Sequence, residues 1–354
     1  MSEDFRCLLD EIKGYKNIAI ISHQTPDADA FSSSVALREI IRKFHSTLPN
    51  GKNSKQRIDV FLDCEEIPSS LKIFIPQNAN SFKFLNPTPK KHYDLAISLD
   101  CSNVERMGKY TELFQKADKT VNIDHHAANT RFAMRNYVLK TSSTCEALYF
   151  LFLHKEKFEV SKYILSLLYS GIITDTNNLK INADALSTEK AMAYIRQNLG
   201  MSLMSRLRAN FFENNSQAKE ELISMAYSKK HRKYLLDDKV CLITLDKNAF
   251  LKAEAEMEDA EGIVDEALYR KGVLISVIIL EKNKNELYVK LRGKPGIDVS
   301  KIAQEFGGGG HERQAAFQFK GSPSQLEKLL IPKAVDFTKN LNETSIDDYR
   351  ELFH

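Results

Sequence analysis

The sequence predicts an α/β protein: a doubly wound domain on a parallel sheet, then a smaller α/β domain, with an active-site cleft between them. Three observations predict it. Apolar, β-branched runs alternate with helix-like segments over residues 16–124. Acidic residues and histidines stand directly after several of those runs. A second alternation begins near residue 233, past a polar and highly charged stretch.

The elements follow in order. KNIAIIS (16–22) reads as a buried strand, and AFSSSVALREIIRKFHSTL (30–48) has helical periodicity. RIDVFLD (57–63), YDLAISLD (93–100) and KTVNID (119–124) read as three more strands. Continuous apolar runs separated by helices are what a parallel sheet covered on both faces requires. From residue 142 the pattern turns helical, opening with SSTCEALYFLFLHK, whose Ser/Thr residues suit a helix cap. Around 215–231 the chain is polar and charged, so the domains are expected at 1–215 and 233–340, joined by a linker over 216–232 and followed by a tail over 341–354. The second domain offers VCLITLD (240–246), a long acidic helix (247–269), VLISVIILEK (273–282), ELYVKLRG (286–293), DVSKIAQEFG (298–307) and RQAAFQFKG (313–321); their order in a sheet does not follow from the sequence.

Composition narrows the function classes. A chain of 354 residues with 43% hydrophobic and 27% charged residues supports sizeable cores rather than disorder. A net charge of +3 does not imply a nucleic-acid coat, and it is compatible with an anionic small substrate. The five cysteines are odd in number, scattered and without a Cys-x-x-Cys pair, which argues against a disulfide scaffold or a thiolate zinc site. The first residues, MSEDFRCLLDEIKGYK, lack the apolar region of a signal peptide. No apolar run approaches the ~18–20 residues that span a bilayer, so a soluble cytoplasmic protein is expected.

In open α/β sheets, sites form beyond the carboxyl ends of strands. Beyond the first strand stand His23, Asp27 and Asp29; beyond the third, Asp100; beyond the fourth, Asp124, His125 and His126; and Asp175 ends an apolar helical segment. Each has a plain structural explanation. His23 can end a strand, Asp27 or Asp29 can cap the helix starting near Ala30, Asp100 can close an Asx turn, and His125-His126 can be a surface pair. Gathered together, several carboxylates need cations to offset their mutual repulsion. Oxygen donors with one or two imidazoles suit Mn²⁺ or Mg²⁺. Two such ions ~3.5–4 Å apart and bridged by a carboxylate are a recurring device for phosphoryl hydrolysis.

Four motifs in this order, SHQTPDADAF (22–31), SLDCSNVERMG (98–108), NIDHHAANTRF (122–132) and GIITDTNNL (171–179), resemble those of the DHH phosphoesterase family. A fifth, FGGGGHERQAAF (306–317), is similar to the Gly-Gly-Gly-His signature of the DHH-associated C-terminal domain. The likeness covers most of residues 15–320 and is nearest to short two-domain members, bacterial nano-RNases that degrade very short oligonucleotides and dephosphorylate adenosine 3′,5′-bisphosphate (pAp). The resemblance implies that His23 and Asp27 bind one Mn²⁺ (or Mg²⁺), that Asp29, His125 and Asp175 bind a second, and that Asp100 bridges the two. His126 would face the scissile phosphate and Asp124 would orient its neighbours. Arg106, Arg292, His311 and the backbone of Gly308, Gly309 and Gly310 would hold the nucleotide.

Read alone, the glycine run is also compatible with a helix C-cap, and Arg292 with an exposed strand arginine. Ser32 stands where the family commonly has glycine, and HERQAAF carries Ala315 and Ala316 at a shifted spacing, which bears on substrate choice more than on chemistry. The expected substrates are short single-stranded oligonucleotides and pAp, with no membrane and no long duplex, in a possible homodimer. The alternatives are a phosphatase of pyrophosphate or polyphosphate, and a nucleotide sensor with weak turnover.

Overall fold

A computed structural model describes residues 8, 12–47, 56–76, 85–154, 160–180 and 186–338. The expected tail, 341–354, lies outside them. The chain divides into two compact units, Met1–Asn214 and Asn215–His354.

In the first unit, β1 (Asn17–Ile21), α1 (Ala28–Thr47), β2 (Arg57–Phe61), β3 (Leu95–Leu99), α2 (Thr111–Gln115), β4 (Lys119–Asp124) and β5 (Arg135–Val138) follow one another. The strands form one sheet in the order β2-β1-β3-β4-β5, every neighbouring pair parallel. Strand periodicity divides the apolar residues between two cores. Ile18, Ile20, Leu95, Ile97 and Leu99 join the core that holds Phe31, Val35 and Leu37 of α1. Ala19, Ile21 and Ala96 join the opposite one, with Phe114 of α2. Both faces are therefore covered, and the runs read as continuously apolar. The helical stretch expected after residue 142 is α3 (Thr144–Leu148), continued by one π-helical segment, then α4 (Lys162–Asp175), α5 (Leu186–Leu199) and α6 (Met201–Phe212).

The second unit holds α7 (Gln217–Ala226), β6 (Arg232–Leu235), β7 (Val240–Leu245), α8 (Lys247–Ala253), α9 (Ile263–Glu266), β8 (Ile275–Asn283), β9 (Glu286–Gly293), α10 (Val299–Glu305), β10 (Gly309–His311), β11 (Gln314–Lys320) and α11 (Pro323–Thr338). Its six-stranded sheet runs β10-β11-β9-β8-β7-β6. Only β7 and β8 pair in parallel. The junction, expected on or just after a helix, holds α7, capped by the Ser216 side chain and packed through Leu222 and Ala226 with Cys241 and Ile243 of β7. One expectation changes here. The single acidic helix over 247–269 is broken: Glu254 turns left-handed (φ 51°) at the end of α8, and Gly262 (φ 85°) separates a 3₁₀ turn from α9.

The glycine run has a structural explanation at three of its four positions. α10 ends in a Schellman motif, with Gly307 (φ +75°) donating to Gln304 O and Gly308 to Ala303 O. A Cβ on Gly308 would lie 2.2 Å from Ala316 O, and one on Gly310 2.4 Å from Gln314 O. A Cβ on Gly309 would meet nothing within 4 Å. Gly308→Ala is therefore expected to cost about 1–3 kcal/mol of stability, whereas Gly309→Ala should stay within ~0.5 kcal/mol. Urea midpoints of the two variants check this, and equal shifts contradict it.

Candidate metal centre and active site

The strand order places the chain's reversal between β1 and β3. The helix after β1 packs on one face of the sheet and the helix after β3 on the other. The two loops diverge and open a crevice at the strands' carboxyl ends, the usual site position in such sheets. Ser22 Oγ donates to Leu99 O at 2.8 Å and ties the two strand ends together.

His23 follows immediately. Its Nδ1 is 2.9 Å from Gln24 O, so Nδ1 donates there and Nε2 faces Asp27 and Asp100, carrying a lone pair only when the ring is neutral. Asp27 does two things at once. Its Oδ1 accepts the Ala30 N–H at 2.9 Å and caps α1, while Oδ2 lies 3.9 Å from His23 Nε2. The capping expectation and the ligand expectation thus fall on different oxygens of one carboxylate.

Asp100 sits between two donor sets. Its backbone is left-handed (φ 57°), a strained choice for a non-glycine residue. Oδ2 lies 3.5 Å from His23 Nε2, while Oδ1 lies 3.4 Å from His125 Nε2. His125 Nε2 is in turn 3.4 Å from Asp175 Oδ2, delivered by the end of α4. One set is His23, Asp27 and Asp100; the other is Asp29, His125 and Asp175; within each, the donor atoms lie within 4.8 Å of one another. Neighbouring ligands of a Mg²⁺-sized ion at 2.0–2.1 Å stand about 3 Å apart. The donor separations are longer than good hydrogen bonds and near that figure, so these residues fit a pair of divalent cations.

Asp29 is held from behind. Its Oδ2 accepts the Thr144 N–H at 2.7 Å and its Oδ1 the Cys145 N–H at 3.0 Å. α4 approaches so closely there that a Cβ on Gly171 would lie 2.5 Å from Asp29 Oδ1. Asp124 is fully buried and turned inward. Its Oδ1 accepts from the His125 N–H at 2.8 Å and from His126 Nδ1 at 2.7 Å. Any proton that His126 exchanges with a substrate therefore passes through Nε2. Asn129, which the sequence reading did not single out, donates to Asp124 Oδ2 at 2.6 Å and also bonds Cys101 O and Asn122 Oδ1. Arg106 is exposed in the turn after β3. Burial disfavours a charged His23, but its hydrogen bond to Asp100 and the charges of Asp27 and Asp100 raise its pKa overall, with Arg106 opposing them.

The remaining sequence-predicted residues belong to the second unit. Arg292 of β9 is no free strand arginine: its Nε donates to Asp265 Oδ1 at 2.8 Å. His311 ends β10, paired with Gln314.

The electrostatics follow from burial and crowding. Burial, with the charge of Asp100, pushes Asp29 up to about 7. Burial also pushes Asp175 well above the usual carboxylate range, although His125 partly offsets it. Burial works against a charged His125, but Asp175 and Asp100 outweigh it and hold its pKa well above the ordinary value. Burial likewise favours a neutral Asp100, yet the hydrogen bonds from His125 and His23 keep it well below. Stability from the Asp29 proton is complete below the ordinary value of 3.8 and lost as pH rises to about 7. That from His125 is complete below 6.5 and lost as pH rises further. The metal-free protein should therefore lose a few degrees of Tm as pH rises from about 5 to about 8. Mn²⁺ should restore more at the alkaline end, because binding must displace those protons. Scanning calorimetry across that range checks this, and a metal-free Tm that climbs with pH contradicts it.

The DHH family N-terminal domain matches residues 17–172, and the DHHA1 domain matches 237–338. The chain is 25% identical to the bifunctional oligoribonuclease and PAP phosphatase NrnA of Thermus thermophilus, over 90% of this chain and 89% of that protein. It is 26% identical to the cyclic-di-AMP phosphodiesterase PdeA of Listeria monocytogenes, over 90% of this chain but 47% of that longer protein. An exopolyphosphatase-related protein from Bacteroides fragilis shares the fold, with a TM-score of 0.78 and 20% identity over 95% of this chain and 96% of that one. Among the described residues no helix is long and apolar enough to cross a membrane. With a DHH N-terminal domain followed by a DHHA1 domain, the chain belongs to the DHH family and is a phosphoester hydrolase.

Proposed function

We propose that this protein hydrolyses short oligonucleotides to mononucleotides and removes the 3′ phosphate of pAp, using two Mn²⁺ ions. The observation that carries the reading is Asp100, whose two oxygens face separate donor sets 3.5 and 3.4 Å away. His23 and Asp27 would hold one ion with Asp100, and Asp29, His125 and Asp175 the other. Bound there, the ions would supply charge neutralisation at the phosphoryl group and an acidified water. His126, oriented through Nδ1 by Asp124, presents Nε2 to the phosphate or the leaving oxygen. Arg106, exposed after β3, supplies a planar cation suited to a second phosphate group. Arg292 and His311 of the DHHA1 domain are proposed to take the remainder of the nucleotide. The relatives named for oligoribonuclease and PAP phosphatase activity, matched along nearly their whole length, support this substrate class over pyrophosphate.

The test is a manganese-supplemented panel of pAp, di- to pentanucleotides, a long single strand and pyrophosphate, with products resolved. Dinucleotides and pAp should turn over faster than the long strand. Dominant phosphate release from pyrophosphate, or faster hydrolysis of the long strand, overturns the reading. Asp100→Ala should lower turnover on the order of 10³-fold, since metal charge stabilisation is worth several kcal/mol and each ~1.4 kcal/mol is tenfold. Full activity in a correctly folded Asp100→Ala protein removes the shared-carboxylate mechanism.

A further inference from the structure

The turn over 141–143 and the start of α3 reach Asp29 and Asp100, and their role goes beyond helix capping. Thr144 Oγ1 donates to Asp100 Oδ1 at 3.0 Å, while the Thr144 N–H donates to Asp29 Oδ2 at 2.7 Å. One residue thus touches the carboxylate between the two donor sets and a carboxylate of one set. The other partners of the Asp100 side chain are the imidazoles of His23, His125 and His126. Two of these are themselves proposed ligands. Once their nitrogens turn to cations, they no longer fix the Asp100 carboxylate by hydrogen bonds. The Thr144 hydroxyl is a neutral donor that stays in place, and it occupies one lone pair of the oxygen facing His125.

The turn is built to keep that hydroxyl there. Glu146 is fully buried. Its Oε2 accepts from the Ser142 N–H at 3.1 Å, from the Ser142 hydroxyl and from Thr188 Oγ1 at 2.7 Å. Its own N–H donates to Ser143 Oγ at 3.0 Å, and Thr141 Oγ1 donates to Ser143 O at 3.0 Å. A carboxylate placed in a core is costly unless it is hydrogen-bonded. Here those bonds draw both ends of the turn and α5 around Thr144.

We propose that Thr144 is a positioning residue of the metal centre, setting the Asp100 carboxylate for the ion on the His125 side, with Glu146 holding the turn that presents it. This rests on the two-ion reading above. A hydrogen-bonding partner behind a metal ligand is typically worth about 10–100-fold in metal affinity.

The experiment titrates Mn²⁺ into metal-free full-length protein, following heat and the loss of the free-ion EPR signal, for wild type, Thr144→Val and Thr144→Ser. Wild type should take up two ions. Thr144→Val, nearly isosteric but without the hydroxyl, should bind one ion as wild type does and the other about 10–100-fold more weakly. Thr144→Ser, which keeps the donor, should restore both. Unchanged affinity for both ions in Thr144→Val, or equal weakening of both, overturns the assignment. If the valine variant does not melt cooperatively, Thr144→Ala takes its place with the same expectations. A wild type that binds fewer than two ions sinks the two-ion reading instead, so the two failures are distinguishable.

Discussion

Repulsion among buried carboxylates is the constraint around which the first unit is arranged. Asp29, Asp100 and Asp175 converge at the end of an otherwise apolar sheet, where each charge raises the cost of the next. The protein meets this with two imidazoles between the acids and with backbone N–H groups behind Asp29. That arrangement shares protons in the metal-free chain, and it is also the donor geometry for divalent cations. Asp100 stands at its centre in a left-handed backbone conformation that the neighbouring strands hold in place.

The fold serves this convergence. The strand order puts β1 beside β3 and sends their following helices to opposite faces, so the crevice opens where His23 and Asp100 emerge. The close approach of α4 at Gly171 brings Asp175 within reach of His125. Behind these candidate ligands a layer of neutral or fully buried groups fixes side-chain angles: Asn129 behind Asp124, Thr144 behind Asp100, Glu146 behind the turn.

Much of the first unit was legible because its strands are buried on both faces and so read as apolar runs. β5 (RNYV), half-exposed at the sheet edge, carries no such run and was not predicted. In the second unit the mixed sheet order depends on long-range pairing that no local pattern encodes, and the acidic stretch over 247–269 keeps helical composition across two left-handed breaks. The ligand candidates were readable because charged residues directly after apolar strands are conspicuous. Thr144 and Asn129 were not, because a threonine at a helix start and an asparagine in a polar loop look like ordinary caps and turns. The glycine run was readable as special, but the packing reason at Gly308 and Gly310, where the backbone of β11 leaves no room for a Cβ, depends on a strand pairing that no local pattern encodes.

The most direct measurement is an anomalous-scattering map of crystals grown with Mn²⁺. The account predicts two manganese peaks ~3.5–4 Å apart, one on the Oδ2 side of Asp100 with His23 and Asp27, the other on the Oδ1 side with His125, Asp29 and Asp175. A single peak, or two peaks neither of which touches Asp100, contradicts it.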